Sequence, residues 1–258
     1  MIVSLMIGRA GSKGLPGKNT KKILGKSLCE YPLIASKKSK YIKKIFVSTD
    51  CPIIKKKSKK YGVEFIQRPR RLANDKALGD NVFEHGYFEI KKKLNLKKED
   101  IEFVVLLFAN AATVTSKIID KGIKILRSNK KFDSAVSTSV YNMWSPIRAR
   151  KLNKDGTLKP FVPFKVFGNP KKLSCDRDSQ GDVYFADMSV SVVRPKCLEN
   201  MKMGLLPQKW MGKKITPILS SGGCDIDYDW QFPMVESWLK KNGYKNNKKW
   251  LRIKFTKN

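Results

Sequence analysis

The chain has 258 residues and a hydrophobic fraction of 41%, which suits one α/β domain with a real core and excludes a disordered or fibrous protein. No run of about 18 apolar residues is present to cross a membrane, and the apolar N-terminus is too short for a signal peptide, so we expect a cytoplasmic protein with no membrane partner. The net charge of +32 comes from 54 lysines and arginines against 22 acidic residues; the lysines are spread over the whole chain, which favours a solvated basic surface over a nucleic-acid binder.

Segments with strand-like and helix-like periodicity alternate in the first half of the chain. Strands are predicted over residues 2–7, 44–48, 63–66 and 103–108, and helices over residues 28–39, 52–61, 80–94 and 116–128. Ser116 is the expected N-cap of the last of these helices. The run 103–108 is apolar throughout, which is typical of a central parallel strand buried on both faces. This alternation predicts an α/β fold with a doubly wound, mostly parallel sheet.

The second half of the chain is less regular. A strand is predicted over residues 134–140, and residues 142–182 then carry proline, glycine and lysine with little periodicity. We interpret residues 142–182 as a small insertion that either covers the site as a lid or forms an oligomer contact. A strand over 189–193 and a helix over 234–242 complete a single predicted domain, 1–245, and residues 246–258 form a basic tail.

The cysteines and the single histidine do not point to metal or nucleophilic chemistry. The five cysteines are widely spaced and include no C-x-x-C pair, which argues against a disulfide framework and against a zinc site. His85 falls in a predicted helix, where a packed or surface histidine is the better interpretation. We therefore expect neither a Ser-His-Asp nor a Cys-His mechanism.

The segment most informative about function is the glycine-rich loop 8–19, G-R-A-G-S-K-G-L-P-G-K-N, directly after the first strand. Open α/β sheets bind ligands at this end of their strands. Glycines let backbone N–H groups approach an anion, and Arg9, Lys13 and Lys18 supply positive charge. The spacing fits neither a P-loop nor the G-x-G-x-x-G of dinucleotide sites. The loop therefore predicts an anion site of another kind, and the alternative is an ordinary loop between a strand and a helix.

The same loop resembles the signature R-x-x-S-K-G-L-P-x-K-N of the acylneuraminate cytidylyltransferases. The matching residues are Arg9, Ser12, Lys13, Gly14, Leu15, Pro16, Lys18 and Asn19. The resemblance implies a Rossmann-like, GT-A-like nucleotidyltransferase fold whose loop wraps the triphosphate of CTP. It implies catalytic phosphate contacts from Arg9 and Lys18, and a role for Asn19 in fixing the nucleotide. The remaining nucleotide-binding residues expected in the loop are Gly8, Ala10, Gly11, Ser12 and Lys13.

Two further stretches follow the order of this family. V-S-T-D at residues 47–50 matches the end of its second strand, although Asp50 is more simply interpreted as a cap of the helix that starts at Pro52. Residues 61–75 resemble Y-G-x-E…R-P-x-x-L-A-x-D. The resemblance implies that Arg68 lies by the nucleotide base and that Asn74 belongs to the nucleotide site. The alternative for Arg68 is a surface arginine held by the Pro69 turn.

Asp225-Ile226-Asp227 resembles the D-I-D found near the C-terminus of the family. Two aspartates at i and i+2 of an extended segment point to the same side, and two carboxylates with triphosphate oxygens suit Mg²⁺. Taken alone, the pattern fits an exposed pair in a turn better. Beside the glycine-rich loop, we expect Asp225 and Asp227 to be catalytic and to hold Mg²⁺, with Asp225 also a candidate to take a proton from the attacking hydroxyl.

The acceptor half departs from the family pattern. L-L-Q-P-T-S-P-L-R-T appears here as L-L-F-A-N-A-A-T-V-T, so Phe108 replaces the glutamine and Val114 the arginine, and Phe185 replaces the arginine of F-R-P-N-G-A-I-Y. Phenylalanine cannot make the bidentate contact of an arginine to a carboxylate. We therefore expect a different, more apolar acidic sugar. The expected acceptor-side residues are Phe108, Asn110, Arg177 and Asp187, and Arg148, Arg150 and Lys165 are further candidates for its carboxylate.

The resemblance implies that the anomeric hydroxyl of an acidic sugar, nonulosonic or related, attacks the α-phosphorus of CTP and releases pyrophosphate. It also implies a homodimer, because family members commonly dimerise through an inserted segment, here residues 142–182. Two alternatives remain open. One is a nucleotidyltransferase of the same fold with another nucleotide or acceptor, and the other is a basic binding protein that has lost catalysis.

Overall fold

A seven-stranded sheet forms the centre of the computed structural model, which describes residues 1–11, 14–174, 176 and 181–246. The strands are β1 (Ile2–Gly8), β2 (Lys22–Ile23), β3 (Lys26–Ser27), β4 (Ile42–Thr49), β5 (Glu64–Gln67), β6 (Phe103–Phe108), β7 (Ser134–Val140), β8 (Arg150–Leu152), β9 (Leu158–Pro160), β10 (Tyr184–Val193) and β11 (Ile215–Leu219). The order in the large sheet is β11-β7-β10-β6-β1-β4-β5, while β2 with β3 and β8 with β9 form two small hairpins.

Most pairs of strands in the large sheet are parallel, as predicted. Only β10 runs antiparallel, against both β6 and β7. The edge strand β11 was not predicted from the sequence, because it is short and contains Pro217. Proline cannot donate to a ladder and is tolerated at a sheet edge, where β11 pairs with β7 alone.

Helices cover both faces of the sheet, which confirms the doubly wound fold. They are α1 (Glu30–Lys38), α2 (Pro52–Ser58), α3 (Gly79–Leu94), α4 (Ser116–Ser128), α5 (Pro195–Glu199) and α6 (Phe232–Lys241). α1, α2 and α4 bury Leu33, Ile54 and Ile123 on one face. α3 and α5 bury Phe83 and Leu198 on the other. Among the described residues, no helix has the length and apolar character needed to cross a bilayer.

The start of α4 differs from the sequence prediction in its cap. The N-cap is Thr115, whose Oγ1 accepts a hydrogen bond from the backbone N–H of Ile118 at 3.3 Å. Ser116 is the first residue of the helix itself. The prediction of Ser116 as the cap was therefore wrong by one position, because either hydroxyl could serve and the backbone turns helical only after Thr115.

The central strand β6 shows why the sheet needs helices on both sides. Phe103, Val105 and Leu107 are buried in the core on one face, and Val104 and Leu106 in the core on the other. All five are at most 1% exposed. The continuous apolar run therefore has the buried, central position that the sequence predicts.

The C-terminal helix α6 packs in a third cluster of buried residues. Leu239 and Val235 of this helix share the cluster with Leu15 of the glycine-rich loop and with Ile226. This packing joins the end of the loop to the segment that carries Asp225 and Asp227. The two stretches that the sequence assigns to phosphate and metal binding are thereby held together by apolar contacts.

The described part of residues 142–182 forms 3-10 turns and the β8–β9 hairpin, and many of its apolar side chains are exposed. Cys29, Cys51, Cys197 and Cys224 are free thiols, whereas Cys175 lies outside the described residues. His85 lies in α3 and is partly buried, and burial lowers its pKa. The limits of the domain and the basic tail beyond residue 246 stay predictions.

Candidate active site

A cleft of about 250 Å³ opens at the carboxyl ends of β1 and β6, and most of the residues that the sequence assigns to the site line it. Those residues are Gly8, Arg9, Lys18, Asn19, Arg68, Asn74, Phe108, Asn110 and Asp225. The other lining residues are Ile7, Leu72, Ala77, Gly79 and Val82. The position matches the place where parallel α/β sheets bind ligands.

The glycine-rich loop leaves β1 in close contact with the neighbouring strand. A Cβ atom on Gly8 would lie 2.6 Å from Cβ of Ala109, so only glycine fits this crossing. Further on, the backbone N–H of Ala10 donates to Oδ1 of Asp50 at 3.1 Å, and Nδ2 of Asn19 donates to the carbonyl of Arg9 at 3.1 Å. The start of the loop is therefore fixed from two sides. Ala10 and Gly11 are exposed, and Ser12 and Lys13 lie outside the described residues.

Asp50 has a different role from the predicted one. The N-cap of α2 is Cys51, and the backbone N–H of Cys51 donates to Oγ1 of Thr49 at 3.0 Å. The carboxylate of Asp50 instead accepts from Ala10, as described above. The interpretation of Asp50 as a helix cap was thus wrong, because its side chain turns towards the loop rather than towards the helix.

Two cations of the loop pair with carboxylates that are distant in sequence. Nζ of Lys18 donates to Oδ1 of Asp227, 209 residues away, and Nη1 of Arg9 donates to Oδ1 of Asp75, 66 residues away. The Lys18 side chain is 16% exposed and that of Asp227 54%. The pairs bring the loop, the D-I-D segment and the turn after β5 to one place.

The first aspartate of the D-I-D segment is held by Asn110 at the end of β6. Nδ2 of Asn110 donates to Oδ2 of Asp225 at 3.1 Å and to the carbonyl of Ile226 at 3.2 Å. Burial, and secondly the charge of Asp227, raise the pKa of Asp225, while Lys18 and Asn110 act in the opposite direction. A buried carboxylate beside a second carboxylate favours a nearby cation.

The donor set fits Mg²⁺ only together with substrate oxygens. Among the described residues, no group of three or more His, Cys, Asp or Glu side chains is arranged to hold a metal ion. Asp225 lines the cleft, and Asp227 reaches it through its pair with the lining residue Lys18. Mg²⁺ is commonly held in this way, by one or two carboxylates with substrate phosphates and water. The residues present therefore fit this ion and do not form a complete protein cage.

Asp187, predicted on the acceptor side, lies behind the cleft rather than in its lining. It is 5% exposed, and its carboxylate accepts from Oγ of Ser137, from Oγ of Ser139 at 2.8 Å and from the backbone N–H of Ser189 at 3.1 Å. A Cβ atom on Gly223 would lie 2.3 Å from Oδ2 of Asp187. The side chain is thus enclosed against the segment that leads into Asp225.

The same segment is tied to three further side chains. Oγ of Ser139 accepts from the N–H of Gly223 at 3.0 Å, and the hydroxyl of Tyr141 donates to the Gly223 carbonyl at 2.9 Å. Oγ1 of Thr113 accepts from the N–H of Cys224 at 3.0 Å. Together with Asp187, these contacts set the position of Asp225 from behind.

Arg68 is buried, at 5% exposure, so the alternative of a surface arginine is excluded. Its Nη2 donates to the carbonyl of Ser48 at 2.6 Å. Burial lowers its pKa to about 10, against the opposing effect of Asp50. Asn74 lies at the exposed rim, where its amide accepts from the N–H of Lys76 and donates to the carbonyl of Arg71, both at 2.9 Å.

Phe108 lines the cleft, and two buried aromatic rings pack behind it. Its ring centroid lies 5.2 Å from that of Phe83 in α3 and 5.8 Å from that of Trp210. Phe83 and Trp210 are 5.2 Å apart in an edge-on arrangement. Gly79 allows this packing, because a Cβ there would lie 3.3 Å from the indole. We call Phe83, Phe108 and Trp210 the aromatic wall.

The family model described as "Cytidylyltransferase" matches residues 3–154, which contain the glycine-rich loop, Arg68 and β6. The chain belongs to this cytidylyltransferase family.

Relatives with known names agree with the family. The chain is 32% identical over 160 residues to the N-acylneuraminate cytidylyltransferase of Escherichia coli O18:K1:H7, a match that covers 62% of this chain and 36% of that protein. It is 27% identical over 188 residues to the CMP-N,N'-diacetyllegionaminic acid synthase of Legionella pneumophila, with 72% and 77% covered. A Helicobacter pylori protein named as a pseudaminic acid cytidylyltransferase and hydrolase is 28% identical over 151 residues, covering 58% of this chain and 28% of that protein. In the E. coli and H. pylori relatives, the match thus spans about a third of the length.

Solved structures share the fold at low identity. The synthetase of CMP:2-keto-3-deoxy-manno-octonic acid, solved with CTP, superposes with a TM-score of 0.62 at 14% identity and covers 93% of this chain and 99% of that one. A 4-diphosphocytidyl-2C-methyl-D-erythritol synthase gives 0.61 at 11% identity, with 92% and 99% covered. Identities this low show the fold of the cytidylyltransferases and nothing about substrate.

Some of the residues predicted on the acceptor side lie away from the cleft, and one lies outside the described residues. Arg177 lies outside them. Arg148 and Arg150 line a separate cavity in the insertion, where the Arg150 guanidinium lies over the ring of Phe164 at 5.4 Å. Lys165 is not among the residues that line the cleft.

Several residues of the site were not assigned from the sequence. Asp75 ends the L-A-x-D stretch, and that match is the signal that could have marked it as a partner of Arg9. Trp210 stands in a stretch without clear periodicity, so nothing local marks it as a neighbour of Phe108. The same is true of Thr113 and Tyr141, whose contacts with residues 223–224 exist only in the folded chain.

Proposed function

We propose that the protein transfers CMP from CTP to the anomeric hydroxyl of an acidic sugar and releases pyrophosphate. The observation that carries this proposal is the convergence of the glycine-rich loop and the D-I-D segment, 209 residues apart at Lys18 and Asp227, in one cleft. Membership of the cytidylyltransferase family supports CTP as the nucleotide. The names of the relatives, which act on sialic, pseudaminic and legionaminic acids, support an acidic sugar.

The loop side of the cleft, residues 8–19 with Arg68 and Asn74, is the nucleotide side in this proposal. Lys18 and Arg9 each pair with a carboxylate, and a triphosphate offers more negative charge and more oxygens. We infer that the triphosphate displaces Asp227 and Asp75 from these cations. The guanidinium of Arg9 suits two phosphate oxygens at once, and Lys18 acts as a point charge.

Charge neutralisation is the main catalytic contribution of these side chains. Negative charge grows on the leaving pyrophosphate as the bond to the α-phosphorus breaks, and fixed cations near that group stabilise the transition state. Because the loop is already held by Asp50 and Asn19, little reorganisation is needed at that moment. The backbone N–H of Gly11, together with Ser12 and Lys13, completes the proposed phosphate contacts, while the N–H of Ala10 holds the loop to Asp50.

Asp225 and Asp227 are the residues that would hold Mg²⁺. Once bound, the ion would neutralise phosphate charge and orient the triphosphate. Asp225 has a second proposed role, because it lies deeper in the cleft, beside Asn110, and its pKa is raised by burial and by Asp227. We infer that its carboxylate accepts the proton of the attacking hydroxyl.

The opposite side, Asn110 with the aromatic wall, is the acceptor side in this proposal. Asn110 is 9% exposed and lies in the turn after β6, next to Asp225, so its amide is placed to fix a sugar hydroxyl as well as Asp225. Phe108 places an aromatic ring at the position where the family pattern has a glutamine. We propose an acidic nonulosonic or related sugar with an apolar substituent facing Phe108. Arg177 remains the proposed partner of its carboxylate, and Asp187 acts only by positioning the segment of Asp225.

A direct assay tests the proposal. Pyrophosphate release is measured with Mg²⁺, CTP and a panel of nonulosonic acids and octulosonate, with ATP, GTP and UTP as nucleotide controls. Release that requires CTP and one acidic sugar is the expected result. Release with a different nucleotide would point to another nucleotidyltransferase of the same fold. CTP binding without release for any sugar would point to a lapsed enzyme.

We further propose a homodimer formed through residues 142–182. Met143, Leu152, Leu158, Phe161 and Val166 of this segment are each 64–67% exposed. Exposed apolar side chains in such number within one segment favour a covered surface, and a second copy of the chain is the proposed cover. Sedimentation equilibrium should give a dimer for the unmodified protein and a monomer for Leu158→Glu/Phe161→Glu. A dimer in both would place the contact elsewhere, and a monomer in both would remove it.

A further inference from the structure

A second cavity lies at the amino-terminal ends of two strands, whereas the cleft lies at the carboxyl ends of the strands. Its volume is about 500 Å³, and it lies beside Asp133, which precedes β7, and Lys213-Lys214, which precede β11. Both strands run parallel to β6, and the cleft lies at the carboxyl end of β6. The first residues of β7 and β11 therefore lie at the opposite end of the strands from the cleft. β7 has seven residues, a span of roughly 20 Å. The cavity is therefore separate from the proposed active site.

Lysines dominate the lining of this cavity. They are Lys130, Lys131, Lys196, Lys213 and Lys214, and we call this site the lysine cavity. Nζ of Lys196 lies 2.6 Å from Oδ1 of Asp133, which is the one acidic residue among the described residues of the lining. In the part of the chain that the structure describes, the other four lysines form no salt bridge. All four are exposed lining residues of one cavity, so their positive charges repel one another, and a bound anion would relieve that repulsion.

The backbone that carries Lys213 and Lys214 is fixed against Asp133. Their N–H groups donate to Oδ2 of Asp133 at 3.0 and 2.9 Å, and the N–H of Asp133 donates to the Lys214 carbonyl at 2.8 Å. Gly212 has φ +75°, and a Cβ there would lie 2.6 Å from Cβ of Asp133. The segment can pack so closely only with glycine at this position.

The loop that carries Lys130 and Lys131 is fixed as well. Nη2 of Arg194 donates to the carbonyls of Leu126 at 2.8 Å and Asn129 at 3.2 Å, and its Nε donates to the carbonyl of Phe132 at 2.8 Å. Oδ1 of Asn129 also accepts from the N–H of Lys131 at 2.9 Å. Both pairs of lysines therefore start from backbone that is already ordered, which lowers the entropy lost when they hold a ligand.

We propose that the lysine cavity binds a compact anion that carries two or more linked phosphates. Several lysines around one cavity match several phosphates better than one carboxylate, and lysine is a common point-charge partner of phosphate. The described lining contains no aromatic side chain on which a base could stack, so a single-stranded nucleic acid is not the ligand. The cavity has twice the volume of the cleft, which leaves room for a polyphosphate chain with or without a nucleoside.

Calorimetric titration with inorganic tripolyphosphate, without metal and at low salt, tests the site. The two variants are Lys213→Gln/Lys214→Gln and, as a matched control, Lys37→Gln/Lys38→Gln. The control removes the same charge from consecutive exposed lysines at the end of α1. Both variants keep the cleft unchanged, so the difference between them isolates the lysine cavity.

We expect the control to bind tripolyphosphate like the unmodified protein. In Lys213→Gln/Lys214→Gln, one site should bind tripolyphosphate about tenfold more weakly or not at all. Amide shifts at Gly212, Lys213 and Lys214 in a titration followed by NMR should locate the site. ATP is the second probe: equal affinity of ATP and tripolyphosphate assigns recognition to the phosphate chain, and tighter ATP binding adds a nucleoside contact. Identical titrations of the two variants would overturn the proposal. It would also be overturned if the unmodified protein bound an RNA oligonucleotide but did not bind tripolyphosphate. Neither result depends on whether CTP is turned over.

Discussion

The nucleotide side and the acceptor side of the cleft are built in different ways. The nucleotide side is mostly one continuous loop, held by short contacts such as those of Ala10 with Asp50 and of Asn19 with Arg9. The acceptor side combines Asn110 with the aromatic wall, whose rings come from α3, from β6 and from the segment before β11. In the proposed function, recognition of phosphate is thus concentrated in one stretch of sequence, and recognition of the acceptor is distributed over the fold.

This contrast explains why the loop keeps the sequence signature of the family and the acceptor side departs from it. A backbone loop that surrounds phosphates depends on glycines and a few cations at set positions, and one changed residue disturbs the whole arrangement. A surface built from separate side chains can change one contact at a time, as Phe108 does. The variants below probe the two sides, beginning with the largest expected effect.

Asp227→Ala should reduce turnover by roughly a thousandfold or more, because it removes half of the carboxylate pair that would hold Mg²⁺. Asp227 is exposed, so the fold should be retained, as circular dichroism can verify. Asp229→Ala is the matched control two residues away, since the exposed side chain of Asp229 pairs with Lys21 at 2.8 Å. Pyrophosphate release at saturating Mg²⁺ compares the two. Normal turnover by Asp227→Ala would remove this residue from the proposed metal site.

Lys18→Ala should raise the KM for CTP by about ten- to a hundredfold, because a charged phosphate contact of the nucleotide side is lost. The KM for the sugar should change much less. Lys21→Ala provides the control, because Lys21 is three residues further along and its side chain is 40% exposed. An unchanged KM for CTP in Lys18→Ala, measured with the same sugar, would contradict the assignment of the loop to phosphate binding.

Asp187→Asn tests whether the acceptor side depends on the buried contacts behind it. The carboxylate accepts from two hydroxyls and one N–H, and an amide leaves part of this network unsatisfied, at a cost of about 1–3 kcal/mol in the free energy of unfolding. We expect a lower kcat, since Gly223 and Asp225 shift, with little change in the KM for CTP.

Asp155→Asn, in the exposed turn between β8 and β9, is the control for this variant. It should leave the free energy of unfolding nearly unchanged. Urea denaturation measures both variants. A higher KM for CTP with unchanged kcat in Asp187→Asn would mean that Asp187 supports the nucleotide side instead.

The sequence predicted the nucleotide side better than the acceptor side for physical reasons. The alternation of elements and the apolar run of β6 predicted the parallel sheet, and the loop motif placed Gly8, Arg9, Lys18 and Asn19 in what proved to be one cleft. These signals are local in sequence. Trp210 could not be predicted as a neighbour of Phe108, because that contact requires the chain to fold back across about a hundred residues.

Side-chain direction was the other source of error. Asp50 precedes a helix and is a residue type that commonly caps helices, yet its carboxylate accepts a hydrogen bond from Ala10. Asp187 lies in the stretch aligned with acceptor residues, yet the register of β10 against β7 points it towards Ser137 and Ser139. In both cases the residue type was informative, and the partner depended on tertiary packing that short patterns do not contain.

The smallest expected effect concerns Glu30, which fixes the helix that follows the nucleotide side. This carboxylate is 2% exposed and accepts from the N–H of Ser27 at 2.8 Å and from the hydroxyl of Tyr61 at 2.9 Å. Burial alone would raise its pKa, but the contacts with Lys60, Ser27 and Tyr61 outweigh burial and lower it below the ordinary value of 4.5.

A folded-state pKa below the unfolded one means that Glu30 stabilises the fold above about pH 4.5 and that this stabilisation is lost as the pH falls through the folded-state pKa. Glu30→Gln should therefore lower stability at neutral pH and flatten the acid limb of a plot of unfolding free energy against pH. Glu64→Gln, which removes one partner of the exposed Lys44–Glu64 pair, should change the curve little. If Glu30→Gln keeps the full acid limb, the local order of the nucleotide side depends on apolar packing of α1 rather than on this buried charge.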